Sequence, residues 1–195
     1  MAEIDFGTYH HSSLEESVKL RALVEEKMNQ VLGNLYPATQ KINILDAGCG
    51  LGFMTSIAAK HFHYASITGI DIFNHDSLSG SSIGKALQNM KELEIDERVL
   101  LINQNLLTPF TIETKFDLAM SNLVFHNLGK NRFKAYDNVI ECLNGGGYFI
   151  LIDLLPEQYI DMDYFGNSFS TVMEIPITGN GKWDLQMKQQ VKPQK

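Results

Sequence analysis

The chain has little cysteine, no surplus of positive charge and no long apolar run, and each shortage removes a class of function. Its 195 residues include two cysteines, Cys49 and Cys142. They supply neither a disulfide framework nor the spacing of a zinc site, so no metal site is expected. One sits in a glycine-rich turn and the other in an amphipathic helical pattern. They read as buried free thiols, which suits a reducing, cytoplasmic setting. The net charge is −7, which argues against a broad basic face for nucleic acid but leaves a local patch open. The longest apolar run, Tyr148 to Leu155, is too short to span a bilayer and contains Asp153. The opening Met1-Ala2-Glu3-Ile4-Asp5 has no basic region leading into an apolar one, so no signal peptide is expected. Internal repeats, low-complexity tracts and linkers are also missing. Hydrophobic residues at 44% and charged residues at 20% are ordinary for a globular protein, and the length suits one domain over 1–195 with a full core.

The chain is organised around Ile44-Leu45-Asp46-Ala47-Gly48-Cys49-Gly50-Leu51-Gly52-Phe53. A short apolar strand passes through three alternating glycines into a helical pattern that runs from Phe53 to His63. Glycine removes the Cβ that would hold a ligand away, and a helix N-terminus offers unpaired N–H groups at the same place. The turn is therefore expected to press against an adenosine-type cofactor. A dinucleotide turn reads G-x-G-x-x-G. Here the third glycine, Gly52, comes one residue too early, and Phe53 takes the dinucleotide position.

Residues 1–11 read as an irregular arm. Ser12 or Ser13, followed by Glu15 and Glu16, starts a helix with a capping-box option. Leu14, Val18, Arg21, Val24, Met28, Val31, Leu32 and Leu35 recur at helical spacing, giving an amphipathic helix over 13–34 that Pro37 ends. Strands are expected at 42–47, 66–72, 99–103, 116–121 and 148–154, with helices at 52–63, at 83–95 and from Gly129 to the break at Asn144-Gly145-Gly146-Gly147. Their alternation predicts an α/β protein with a doubly wound, mostly parallel sheet and helices on both faces. Pro156 to Phe165 has room for a short helix. Thr178-Gly179-Asn180-Gly181 is a hairpin signal between two late strands, and Lys192 to Lys195 reads as a frayed tail. Asp71 ends the second strand, 19 residues after Gly52, where a carboxylate can accept from both ribose hydroxyls of an adenosine.

Asp46-x-Gly48-x-Gly50-x-Gly52 resembles the first motif of class I S-adenosylmethionine (SAM)-dependent methyltransferases. The stretch from Phe116-Asp117 through Ser121-Asn122 to His126-Asn127-Leu128 is similar to that family's fourth motif, with Asn127 where a second histidine is usual. Leu143-Asn144-Gly145-Gly146-Gly147 is close to its L-[KR]-P-G-G. The resemblance covers about residues 42–155 and fits the C-terminal quarter in outline. It implies a sheet of about seven strands closed by an antiparallel hairpin. It also implies SAM as cofactor and S-adenosylhomocysteine (SAH) as product. The implied cofactor residues are Asp46, Gly48, Cys49, Gly50, Gly52, Asp71, Ile72, Asn105, Leu106, Ser121 and Asn122. Asn105 stands where the family usually has an adenine-binding aspartate; its amide oxygen still accepts a hydrogen bond. Residues 1–35 are expected to cap the cofactor, with Tyr9, His10 or His11 in contact.

Methyl transfer from SAM mainly requires placing a nucleophile in line with the methyl carbon. His126 is the candidate general base, and Asp153 is a second pocket candidate whose plainer reading is a strand-end cap. The Asn/Asp-Pro-Pro-aromatic motif of planar-nitrogen enzymes does not follow the fourth strand, and neither cysteine is placed like that of cytosine C5 enzymes. The reading is an enzyme acting on a small-molecule acceptor, with no membrane partner and with its oligomeric state open. RNA or protein methylation is an alternative, for which Lys130, Arg132 and Lys134 offer an anion-binding run; a SAM-binding subunit without activity is another. A nucleotide-dependent dehydrogenase is disfavoured by the glycine spacing. The connection after the fifth strand holds either a reduced helix or a substrate loop over Gln158 to Ser170.

Overall fold

The computed structural model describes residues 4–155, 157–176 and 184–190. Its first helix, α1 (Leu14–Leu32), begins with a complete capping box: the Ser13 hydroxyl accepts from Glu16 N–H, and the Glu16 carboxylate accepts from Ser13 N–H. Its buried stripe is Ser17, Arg21, Val24, Met28, Val31 and Leu32. Leu14 and Val18, expected on that stripe, are exposed. The first two turns instead turn Ser17 and Arg21 inward to serve the N-terminal arm.

The strands β1 (Asn43–Ala47), β2 (Ser66–Asp71), β3 (Val99–Asn103), β4 (Phe116–Asn122), β5 (Leu143–Asp153), β6 (Phe169–Pro176) and β7 (Asp184–Gln190) form one sheet in the order β3-β2-β1-β4-β5-β7-β6. The first five pair in parallel; β7 pairs antiparallel with both β5 and β6. The turn expected at Thr178 to Gly181 and the tail Lys192 to Lys195 lie outside the described residues.

Strands covered on both faces become near-continuous apolar runs. Ile44, Leu118, Met120, Ile150 and Ile152 face a layer made by α1 and by α2 (Phe53–His61). Leu45, Ala119, Phe149 and Leu151 face the opposite layer, made by α4 (Arg132–Cys142) and α5 (Gln158–Gly166). Helix α3 (Ile83–Glu92) packs by Ala86 and Met90 beside the glycine turn. Among the described residues no helix is long and apolar enough to cross a membrane.

Two expectations are corrected. The Asn144-Gly145-Gly146-Gly147 break belongs to β5. Phe116 pairs with Leu143 and Leu118 with Tyr148, so the glycines are absorbed as a bulge, which Gly146 permits at φ 81°. Helix α4 starts at Arg132 rather than Gly129, because Gly129 has a non-helical backbone that separates it from a preceding 3₁₀ segment. Of the two readings of Gln158 to Ser170, the reduced helix is the one observed: α5, whose Phe165 is buried against Tyr136 and Phe149.

Helix α5 is tied down by a buried ion pair. Arg132 Nε and Nη2 reach the two Asp161 oxygens at 2.7 and 3.0 Å, and the Tyr136 hydroxyl donates to Asp161 Oδ1. The Lys130, Arg132 and Lys134 run is therefore not one solvated cationic face, because Arg132 is 4% exposed and already paired. Asp161→Ala strands the guanidinium in the core and is expected to cost about 3–5 kcal/mol. Urea unfolding should show the midpoint falling with the slope unchanged.

Candidate functional site

Strand β1 pairs with β2 on one side and β4 on the other, and the chain's crossovers reverse there. In open α/β sheets the crevice at such a switch point opens at the carboxyl ends of the strands. A pocket of about 720 Å³ of open space lies at this position. Its wall combines Gly48 and Gly50 of the glycine turn with Asp71 and Ile72, Asn105 and Leu106, and Asn122. Those seven residues were all expected at the site. Asp46, Cys49, Gly52 and Ser121 stand behind the wall. Ser121 Oγ donates to Ala47 O at 2.7 Å, Cys49 is buried against Gly69, and Gly52 lies against Met90. Leu123 and Val124, just past the end of β4, give the pocket its apolar surface together with Leu78 and Leu128, which sequence reasoning missed.

The glycine turn differs in one respect from its expected role. Its amides are engaged within the protein. Gly48 and Cys49 N–H both donate to Ile70 O, Gly52 N–H donates to Cys49 O, and Gly50 N–H donates to Asp71 Oδ2 at 2.9 Å. Asp71 Oδ1 accepts from Phe73 N–H at 2.7 Å. An acceptor ligand such as a pyrophosphate therefore meets a turn in which the three glycine amides and that of Cys49 are taken. The bare backbone serves close packing instead: a Cβ on Gly48, at φ 79°, would collide with Val124. Two non-glycine residues just past the strand ends are held at positive φ, Phe73 at 53° and Leu123 at 58°. Such strain collects at functional sites.

The loop after β3 is pinned by Asn138, whose Nδ2 donates to Leu106 O at 2.7 Å and Thr108 O at 3.1 Å. Asn105 Oδ1 accepts from Leu107 N–H at 2.8 Å, so one of its lone pairs is occupied and the other is open.

The N-terminal arm lies across the pocket. Tyr9 bridges Leu78, His10 N–H donates to Ser77 O, and Ser79 N–H donates to Thr8 O. Tyr9 and Leu78 both line the pocket, while the His10 side chain is exposed. Asn122 Nδ2 donates to the Tyr9 hydroxyl at 3.1 Å, and the Arg21 guanidinium lies 5.2 Å from the ring centre. Burial pushes the Tyr9 pKa up; Arg21 draws it down and Asp46 adds to the rise.

Three buried side-chain polar atoms among the described residues have no partner: Arg21 Nη1, Asp46 Oδ1 and Asn122 Oδ1. All three belong to residues grouped around the Tyr9 hydroxyl. Each unpaired group costs roughly 1–3 kcal/mol. One is a cationic donor and two are acceptors, and of the three residues Asn122 lines the pocket.

His126 is outside the pocket wall. Its Nδ1 lies 2.5 Å from Asp153 Oδ1. The buried Asp153 carboxylate also accepts from Val124, Phe125 and Leu154 N–H. Asp153 is thus the strand-end cap that its plainer reading suggested, and it is also the partner of His126. An acceptor-only carboxylate assigns the proton to Nδ1 and leaves Nε2 as the free acceptor.

Burial, opposed by hydrogen bonds from Thr55 and reinforced by the charge of Asp71, pushes the Asp46 carboxyl from its ordinary 3.8 up to about 7. Between those values the folded state keeps a proton that the unfolded state has lost. Stability from this group is thus full below pH 3.8, falls as pH rises to about 7 and is flat above. The slope is at most about 1.4 kcal/mol per pH unit. Asp46→Asn should remove it, leaving the unliganded variant more stable than wild type at pH 8 in urea unfolding.

A family model described as a methyltransferase domain matches residues 38–190. The malonyl-[acyl-carrier protein] O-methyltransferase of Priestia megaterium is 32% identical over 105 residues, 54% of this chain and 34% of that protein. The chain spans about a third of the length of the curated relatives it matches. Among solved structures, the N-methyltransferase NodS of Bradyrhizobium japonicum, in complex with SAH, superposes with a TM-score of 0.67 at 17% identity, covering 93% of this chain and 90% of that one. The ribosomal protein L11 methylase of Lactobacillus delbrueckii subsp. bulgaricus does so with a TM-score of 0.63 at 20% identity, covering 93% and 81%. These structural likenesses show a shared fold, and a fold of this kind hosts many acceptors. With the glycine turn, the sheet order and the matched span in agreement, the chain belongs to the methyltransferase domain family, among the class I SAM-dependent methyltransferases.

Proposed function

We propose that the enzyme methylates a small-molecule acceptor, which enters beside Tyr9 and the end of β4. The carrying observation is the pocket at the carboxyl ends of β1, β2 and β4, whose wall joins the glycine turn, Asp71, Asn105 and Asn122 to an apolar side made by Leu123, Val124 and Leu128. SAM pairs an adenosine with an α-amino acid, and both parts are accommodated by polar groups at the wall. Asp71 faces the ribose hydroxyls, its carboxylate having lone pairs beyond those given to Gly50 and Phe73. Asn105 and the Leu106 N–H serve the adenine. Asp46 Oδ1 and Asn122 Oδ1 take the ammonium. Bound there, SAM supplies an activated methyl on a positively charged sulfur. The remaining task of the chain is to place the acceptor in line and exclude water. Leu123, Val124 and Leu128 provide an apolar surface for that.

The choice of a small acceptor is supported by the net charge of −7 and by the diversion of Arg132 into the core, which leaves no continuous cationic rim along the Lys130 to Lys134 segment. For an acceptor whose nucleophile carries a proton, His126 is the base, oriented by Asp153. The methyltransferase domain occupies all of 1–195 in this reading, with 1–35 as its cap.

Calorimetric titration with SAM, SAH and NADH is the first test. Binding of the first two alone is expected, and Asp71→Ala should weaken SAH at least tenfold. An unchanged affinity would remove the ribose role. Once labelled SAM has identified an acceptor, His126→Ala should lower kcat by about 10²–10⁴ for a hydroxyl or ammonium nucleophile with SAH affinity retained. An unchanged kcat would end the base assignment.

A further inference from the structure

We infer that the methyl acceptor is an amine, and that Asn127 selects it by accepting one of its N–H hydrogens. The inference rests on the cofactor placement and the base proposed above and goes beyond them, because it names the chemistry of the nucleophile.

Asn127 lines the pocket beyond the end of β4, beside Leu128. It is fastened at two points. Its side-chain Nδ2 donates to Leu123 O at 3.2 Å, and its backbone N–H donates to Val124 O at 3.1 Å. A carbonyl oxygen only accepts, so the first contact assigns the amide nitrogen to the Leu123 side and leaves Oδ1 as the free end. Leu123 is the residue held at φ 58°, and its N–H donates to Ile152 O at 2.8 Å. The strained turn thus fixes the carbonyl that orients Asn127. The outcome is an open amide oxygen on a residue whose neighbours at the wall, Leu123, Val124 and Leu128, are apolar.

The charge of the wall favours the same class of molecule. Among the described residues that line the pocket there is no lysine or arginine, and Asp71 is the one carboxylate. A carboxylate nucleophile brings a negative charge against this wall with no side-chain cation to meet it. An amine gains positive charge as its nitrogen is methylated, and the Asp71 charge and the amide oxygens favour that change.

The count of protons separates an amine from a hydroxyl. A primary amine that enters as its ammonium gives one proton to His126 Nε2, which frees its lone pair. A remaining N–H donates to Asn127 Oδ1. The lone pair forms the bond to the methyl carbon while the carbon–sulfur bond breaks, its electrons staying on sulfur, and the products are the methylammonium and SAH. A hydroxyl has a single proton and cannot serve both His126 and Asn127. A carboxylate has none.

The experiment measures transfer of labelled methyl from SAM to matched triplets that share a skeleton and differ in the reacting group: benzylamine, benzyl alcohol and benzoate, and likewise hexylamine, hexanol and hexanoate. Wild type is compared with Asn127→Leu, and SAH affinity by calorimetry reports folding and the cofactor end of the pocket. In wild type the amine should exceed the hydroxyl by about 10- to 100-fold in kcat/KM, the range of a hydrogen bond to a charged group, with the carboxylate lower still. Asn127→Leu should lose that preference through the amine alone and keep its SAH affinity. A wild type that prefers the hydroxyl or the carboxylate would overturn the inference, whether or not the variant folds. So would an Asn127→Leu protein that keeps the amine preference, or a wild type that binds SAH and methylates no member of either triplet. Wild type that fails to bind SAH would overturn the cofactor placement itself, a result distinct from these.

Discussion

The Asp71 carboxylate joins two turns that would otherwise be independent. It accepts one amide from the glycine turn after β1 and one from Phe73, just past the end of β2. With Gly48 and Cys49 N–H both on Ile70 O, the turn is fastened to β2 throughout. Two consequences define the pocket. The floor is rigid before any ligand arrives, which lowers the ordering cost of binding. The glycine and Cys49 amides of the turn are already engaged, so the polar groups left at the pocket are largely side chains around the rim. Those side chains come from elements far apart in sequence: α1, the arm, the loop after β3 and the end of β4.

That division explains what could be read from the sequence. The glycine spacing, the double-sided apolar strands and the position of Asp71 follow from local rules, and they carried the fold and one wall of the pocket. Arg21 gave a faint signal as the one charged residue in the α1 stripe. Periodicity alone cannot distinguish a snorkelling arginine on a helix edge from a buried one. The stripe itself rotates over the first turns, exposing Leu14 and Val18, because the arm needs Ser17 and Arg21 beneath it. No local pattern records that need. The glycines before β5 read as a break because a bulge becomes visible only when β4 is alongside. The pairing of His126 with Asp153 was hidden for the same reason, since it joins residues 27 apart on neighbouring strand ends.

The pocket is also where the fold departs from its own economy. Elsewhere among the described residues buried polar groups find partners: Asn138 bridges two carbonyls, Asn89 reaches Leu51 O and Asp5 O, and Thr55 reaches Asp46 Oδ2. Around the Tyr9 hydroxyl the pattern stops. A site built to receive a charged ligand must have open valences before the ligand comes, and the unliganded protein is less stable for it. The raised Asp46 carboxyl is another sign of this cost, because burial disfavours its charge.

Two arginines show how burial alone misleads. Arg132 and Arg21 are both almost wholly covered, at 4% and 8% exposure, and both lie against an aromatic ring. Arg132 meets Asp161 through two nitrogens and Gly129 O through a third, so its hydrogen-bonding edge is complete. It fastens α5 to α4 and leaves nothing for a ligand. Arg21 has a carbonyl on one nitrogen, no carboxylate in contact and an open Nη1. A structural arginine brings its counter-charge with it through folding. Arg21 brings no acidic counter-charge with it; its contacts are Gly7 O and the Tyr9 ring, so its burial serves the N-terminal arm.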